Sequence, residues 1–173
     1  MPRIDPATAR PESEAILQEI EQAFGMVPNL FRTYAHHPPL LRANWEKTKA
    51  VMSEGALARK LKEAIALHVS RDNGCDYCVA AHTAALRAIG VGDAELEALE
   101  QDPEQAGFDD KERALLRFAR RANGAALAIH DDEYQAVRAA GASEAEIVEA
   151  LGVMELFAGF NRFLDSLQVD IDF

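Results

Sequence analysis

The sequence predicts an all-α protein with one domain. Apolar residues recur at helical spacing along almost the whole chain, strand-like alternation is absent, and Gly, Pro and Asn cut the pattern into helix-sized pieces. At 173 residues, 49% hydrophobic and 27% charged, the chain is long enough for a single buried core.

The elements follow in order. Pro2, Pro6 and Pro11 make residues 1–11 an extended arm. Periodicity then places helices over residues 12–24, 39–53, 57–72, 75–89, 93–100, 109–123, 131–140 and 143–167. Breaks fall at Gly25, Pro28, His37-Pro38-Pro39, Gly55, Asn73-Gly74, Gly90-Val91-Gly92, Pro103, Gly124 and Gly141. Ser143 with Glu146 forms a capping-box start for the last helix. His36 and His37, just before the prolines, read as a helix cap, with the mouth of a site as the alternative.

A net charge of -11 argues against nucleic-acid binding, which needs clustered Lys and Arg against phosphate. The first residues, MPRIDPATARPESEA, have no apolar core of a signal peptide, and no run approaches the roughly 20 apolar residues of a membrane span. The expectation is a soluble cytoplasmic protein, a setting in which a disulfide is more often catalytic or redox-sensing than structural.

The only two cysteines, Cys75 and Cys78, follow Asn73-Gly74 directly, so the pair opens a helix. Unpaired N–H groups and the helix dipole there favour thiolate. At 100° per residue Cys75, Cys78 and His82 share an arc of about 60°, and His82 lies one turn from Cys78. Glu63 precedes Gly74 by roughly 16 Å of helix and His82 follows it by roughly 12 Å, so a fold-back at Gly74 brings these two nearly level. The implied order is Glu63, His82, Cys78, Cys75: a carboxylate orients an imidazole, which deprotonates a thiol. Cys78 is the nucleophile candidate, and Cys75 is placed to supply a proton or close a labile disulfide. Ala66, Leu67 and Ser70 beside Glu63 give it a low-polarity setting that would raise its pKa, with Arg59 or Lys60 opposing.

This constellation, Glu followed twelve residues later by Cys-x-x-Cys and then His, resembles the AhpD-like alkylhydroperoxidase branch of the carboxymuconolactone decarboxylase family. GMVPNLFRTYAHHPPLL, over residues 25–41, resembles that family's peroxidase-related members. The resemblance implies an AhpD-like helical bundle in which Cys78 is oxidised by a hydroperoxide to a sulfenic acid. It implies too that Cys75 is proton donor and disulfide partner, and that Glu63 and His82 are the relay. It further implies no metal or organic cofactor, and an external dithiol reductant: a lipoylated protein, thioredoxin or a small thiol. Homo-oligomers are the family pattern, and the aromatic stretch LFAGFNRFL is an expected interface element. The chain departs from AhpD in carrying Asp76-Tyr77 between its cysteines, where AhpD has a histidine.

Other readings stand beside this one. The cysteines could be small buried hydrophobes, or with His82 and Glu63 they could bind zinc. A lactone decarboxylase needs neither cysteine, and a redox-sensing or partner-binding module would oxidise without turnover. His68, flanked by Leu61, Ile65 and Val69, reads as a core or interface histidine, while Tyr77 could hydrogen-bond near the thiolate or simply pack. The apolar positions Val27, Leu30, Phe31, Leu40, Leu41, Trp45, Leu115, Phe118, Leu156, Phe157, Phe160 and Phe163 read as core or interface. A weak repeat with an offset of 51 residues aligns LRAIGVGDAEL with VRAAGASEAEI and Lys60 with Lys111, which makes the central helix hairpin a candidate duplication. The second copy has Ala114, Ala126, Ile129 and Glu133 where the first has Glu63, Cys75, Cys78 and His82, so one site per chain is expected.

Overall fold

The computed structural model describes residues 11–101 and 107–173, and within them every regular element is helical. Apart from Pro11, the expected arm lies outside the described residues, as does Pro103. The order is α1 (Pro11–Phe24), α2 (Asn29–Tyr34), α3 (Pro38–Met52), α4 (Arg59–Asn73), α5 (Asp76–Ala88), α6 (Asp93–Gln101), α7 (Asp110–Ala125), α8 (Asp131–Ala139) and α9 (Glu144–Leu167). A single 3-10 turn, Ala126–Ala128, follows α7.

Local chemistry explains the boundaries. The Ser143/Glu146 capping box starts α9, a second one, Asp109 with Glu112, starts α7, and His37 caps α3 by accepting the Leu40 N–H at 3.3 Å. The six-residue α2 is an addition to the expected set. It is too short for periodicity to reveal, and its first N–H, on Asn29, is held at 2.7 Å by Asp172 from the far end of the described chain.

The core is organised around α4, which packs against α5, α7 and α9. Residues 61–70 are buried without interruption, so this helix has no solvent face over nearly three turns. Burying Lys62 there requires partners: its Nζ donates to the carbonyls of Val51 and Glu54 and lies 2.6 Å from Glu149. Glu149 also accepts the Ala56 N–H at 2.8 Å, pinning the loop before α4 onto α9. Gly55, at φ +103°, suits that loop because side chains rarely adopt this conformation, and a β-carbon there would also displace the Glu149 carboxylate.

The α4–α5 hairpin is closed by two residues. Gly74 takes the left-handed conformation at φ +76°, and the N–H groups of Gly74 and Cys75 return to the carbonyls of Arg71 and Ser70 at 3.0 and 2.9 Å. Cys75 is thus the N-cap of α5 rather than its first helical residue, and Cys78 stands at the third helical position. The fold-back at Gly74 places Glu63 beside His82.

Of the alternatives of core or interface, Leu156, Phe157, Phe160 and Leu164 are buried in this chain's own core. Leu40, expected in a core or interface, is exposed.

The 51-residue offset also recurs in three dimensions. Lys60 pairs with Glu95 and Lys111 pairs with Glu146, each partner displaced by the same offset. Gly90 and Gly141 share the left-handed conformation at φ +92° and +97°. Each helix end is closed alike, by Val91 N–H to Leu86 and by Ala142 N–H to Val137. In order, α4, α5 and α6 correspond to α7, α8 and α9. Among the described residues no helix is long and apolar enough to cross a membrane.

Candidate active site

Glu63 projects from α4 and His82 from α5, and the hairpin sets His82 Nδ1 2.6 Å from Glu63 Oε2. The other carboxylate oxygen accepts from Arg59 Nε at 2.7 Å, one turn earlier on α4. Burial would raise the Glu63 carboxyl, but the hydrogen bond and charge of His82, joined by Arg59, outweigh it and hold the pKa below its usual value. This corrects the expectation of a raised carboxyl. Both expected partners of Glu63, Arg59 and His82, engage it at once, one on each oxygen.

An ionised carboxylate at Nδ1 puts the imidazole proton on that nitrogen and leaves Nε2 as the basic lone pair. Nε2 is buried and has no hydrogen-bond partner among the described residues. His82 is further fixed by Phe157, whose ring meets it edge to face at 4.2 Å.

Both cysteines are free thiols and both are buried, Cys75 at 0% and Cys78 at 3% exposure. Their mutual hydrogen bond is the largest influence on each: it brings Cys75 below its usual pKa and pushes Cys78 well above it. Burial and the negative charge on Cys75 add to the rise at Cys78, while Asn161 and Ser70 beside its sulfur pull the other way. Of the two, Cys75 is the one whose thiolate the contact favours, and the expected depression of the Cys78 thiol by the helix start is opposed by its neighbour. Access separates the two sulfurs. Cys78 lines a cavity that Cys75 does not reach.

That cavity, about 400 Å³, is walled by Phe24, Phe31, Met52, Phe157, Phe160 and Phe173, with Glu63, Arg59, Tyr77, Cys78 and His82 supplying its polar atoms. The structure thus brings Glu63 into contact with His82, and Cys78 into contact with Cys75, and opens Cys78 and His82 on one space. No hydrogen bond joins His82 Nε2 to Cys78. The Tyr77 hydroxyl accepts the Leu30 N–H at 3.1 Å, and burial with the nearby Asp172 and Cys78 raises its pKa. His68 is buried away from the cavity, its pKa lowered to about 4 by burial and then by the charge of Arg120. Among the described residues no three His, Cys, Asp or Glu side chains converge as metal ligands.

Sequence reasoning missed Asn161, which donates to Ser70 Oγ at 3.0 Å behind Cys78, and the cavity residues Phe24, Met52 and Phe173. Ser70 was visible as a near neighbour in sequence. Nothing in periodicity could tie Asn161 to a residue 91 positions away.

The second hairpin keeps the counterpart of this space. A groove of about 560 Å³ between α7 and α8 is lined by Asp110, Ala114, Glu133 and Ala136, the residues 51 positions beyond Arg59, Glu63, His82 and Ala85. Its Arg121 is paired with Glu133 at 2.8 Å and Arg113 with Asp110 at 2.5 Å, so its own carboxylates neutralise these arginines.

Comparison with known proteins follows the same lines. Residues 38–121 match the model of the carboxymuconolactone decarboxylase family. The fold is similar to that of an uncharacterised peroxidase-related protein from Silicibacter sp. TM1040, with a TM-score of 0.88 at 27% identity over 99% of this chain and 89% of that one. It is equally similar to an alkylhydroperoxidase AhpD core, an uncharacterised peroxidase-related protein from Ralstonia eutropha JMP134, at 0.88 and 25% identity over 99% and 91% of the chains. The apo debrominase Bmp8 shares the fold at 22% identity, with a TM-score of 0.81 over 94% of this chain and 87% of that one. No curated protein sequence matches the chain.

Proposed function

From the chain's membership of the carboxymuconolactone decarboxylase family, with an AhpD-like fold, we propose that it is a thiol-dependent peroxidase for alkyl hydroperoxides. The observation that carries the reading is a single cavity holding a thiol and an imidazole, with the imidazole's Nδ1 pinned by a carboxylate and its Nε2 unpartnered among the described residues.

In this reading His82 Nε2 takes the proton that rests on Cys78, and Glu63 stabilises the imidazolium without accepting a proton itself. The Cys78 thiolate attacks the terminal peroxide oxygen, the O–O bond breaks, and the alkoxide leaves with the proton returned by the imidazolium. Cys78 is left as sulfenic acid. Attack by the Cys75 thiolate on that sulfur forms the Cys75–Cys78 bond and expels hydroxide, which leaves as water with a proton from solvent, and an external dithiol reduces the disulfide by exchange. The apolar wall suits an organic peroxide. The chain would work in the cytoplasm, as a homo-oligomer and without a resident cofactor.

A lactone decarboxylase, the other activity within the family name, would survive loss of both thiols. A redox-sensing or partner-binding module would oxidise once and stop. Steady-state turnover of cumene hydroperoxide with dihydrolipoamide or dithiothreitol separates the three. The parent is expected to turn over repeatedly, Cys78→Ser to lose activity, and His82→Asn to fall by about 10²- to 10⁴-fold, the usual contribution of a positioned base. Undiminished activity in Cys78→Ser would overturn the proposal.

A further inference from the structure

We propose that Phe173, clamped by Asp172, sets the size of the reactant that reaches Cys78, so that the segment following α9 is the specificity wall of the site. The inference rests on the reading of Cys78 as the residue that meets the reactant.

The chain leaves α9 at Gln168, which takes the left-handed conformation at φ 50°, and runs across the N-terminus of α2. Two bonds to one residue hold it there: the Asp170 carbonyl accepts from Asn29 Nδ2 at 3.0 Å, and Asp172 Oδ2 accepts the Asn29 N–H at 2.7 Å. The clamp places the Phe173 ring edge-on against Tyr77 at 5.4 Å, and both rings line the cavity that Cys78 faces. Tyr77 is itself tied to α2 through the Leu30 N–H, so the residue preceding Cys78, the start of α2 and the clamp form one assembly.

Phe173 differs from the rest of the wall. Phe31, Phe157 and Phe160 are buried in helices and Phe24, 43% exposed, ends α1, whereas Phe173, 48% exposed, lies on an extended segment outside any helix. Moving its ring therefore uncovers little core, and removing it widens the cavity without disturbing the helices. A small peroxide such as hydrogen peroxide needs no such widening. A bulky one, or a dithiol carried on a protein, does.

The test compares parent, Phe173→Ala, Phe173→Leu and Asp172→Ala in two assays. The first is the rate of thiol oxidation by hydrogen peroxide and by cumene hydroperoxide. The second, without peroxide, is the rate of alkylation at Cys78, located by peptide mapping, by iodoacetamide and by N-(1-pyrenyl)maleimide. Phe173→Ala and Asp172→Ala are expected to raise the bulky-to-small rate ratio by about ten-fold, the scale on which pocket side chains discriminate, with Phe173→Leu between them and the parent. An unchanged ratio, or an equal rise for small and bulky reagents, would overturn the inference. A shifted alkylation ratio in a protein that reacts with neither peroxide would uphold the wall and overturn only the peroxidase reading.

Discussion

At Glu63 a guanidinium and an imidazole share one buried carboxylate, and this decides the residue's role. A carboxyl held below its usual pKa by His82 and Arg59 remains an anion at neutral pH, and in the proposed reading it orients the imidazole and stabilises its charged form. The same shift has a consequence for stability. Because the folded pKa lies below the ordinary 4.5, Glu63 contributes stability that is complete above pH 4.5 and is lost only as pH falls through the lower folded value. His68 acts in a different window. Burial, with Arg120, brings it to about 4 against an ordinary 6.5, so the unfolded chain binds more protons between those values. Stability from His68 is complete above pH 6.5 and is lost as pH falls towards 4, on the order of 3 kcal/mol in all. Asp72 favours its charged form and Arg71 joins Arg120 against it, both from neighbouring positions. Denaturant melts of His68→Gln and Glu63→Gln across pH 3.5 to 8 should flatten the profile at mildly acid pH for the first, and only at the acid end for the second. Parallel profiles in parent and His68→Gln would contradict the assignment.

Among the elements, the α4–α5 hairpin carries the site and its turn sets the geometry. Gly74 has no atom near the place of its missing β-carbon, so Gly74→Ala meets only the left-handed backbone penalty, about 1 to 2 kcal/mol. Thermal melts should show that loss, and the Glu63–His82 contact should survive it, because it depends on helix register. Much of this element was legible: Asn73-Gly74 marked the turn, and helical rise alone put Glu63 level with His82. The cap at His37 and the capping box at Ser143 were legible for the same local reason. What escaped depends on distance in sequence. The first N–H of α2 is held by Asp172, Asn161 reaches the Cys78 environment from α9, and the Cys78 thiol is pushed up by Cys75 through a contact that spacing alone does not settle. For LFAGFNRFL periodicity marked the apolar face without deciding between core and interface, and Leu156, Phe157, Phe160 and Leu164 are buried in the core.

For the whole molecule, the repeated Lys60–Glu95 and Lys111–Glu146 pairs mark two copies of one scaffold, with Glu63, Cys75, Cys78 and His82 in the first and Ala114, Ala126, Ile129 and Glu133 in the second. The copies are held at the core by α4 and α9, and the Lys62–Glu149 pair locks the loop before α4 across them. Lys62→Ala should cost about 3 to 5 kcal/mol in chemical denaturation, because it removes the cation from a largely buried carboxylate, and Glu149→Gln on the same background should recover part of it. The central claim is that this scaffold activates one thiol for peroxide. Its most direct test is the intact mass of pre-reduced protein after one equivalent of cumene hydroperoxide, with a sulfenic-acid trap present, for parent, Cys75→Ser and Cys78→Ser. The account predicts rapid loss of two hydrogens in the parent and a trapped sulfenic acid on Cys78 when Cys75 is replaced. Oxidation at the rate of a free thiol, with no preference between Cys75 and Cys78, would contradict it.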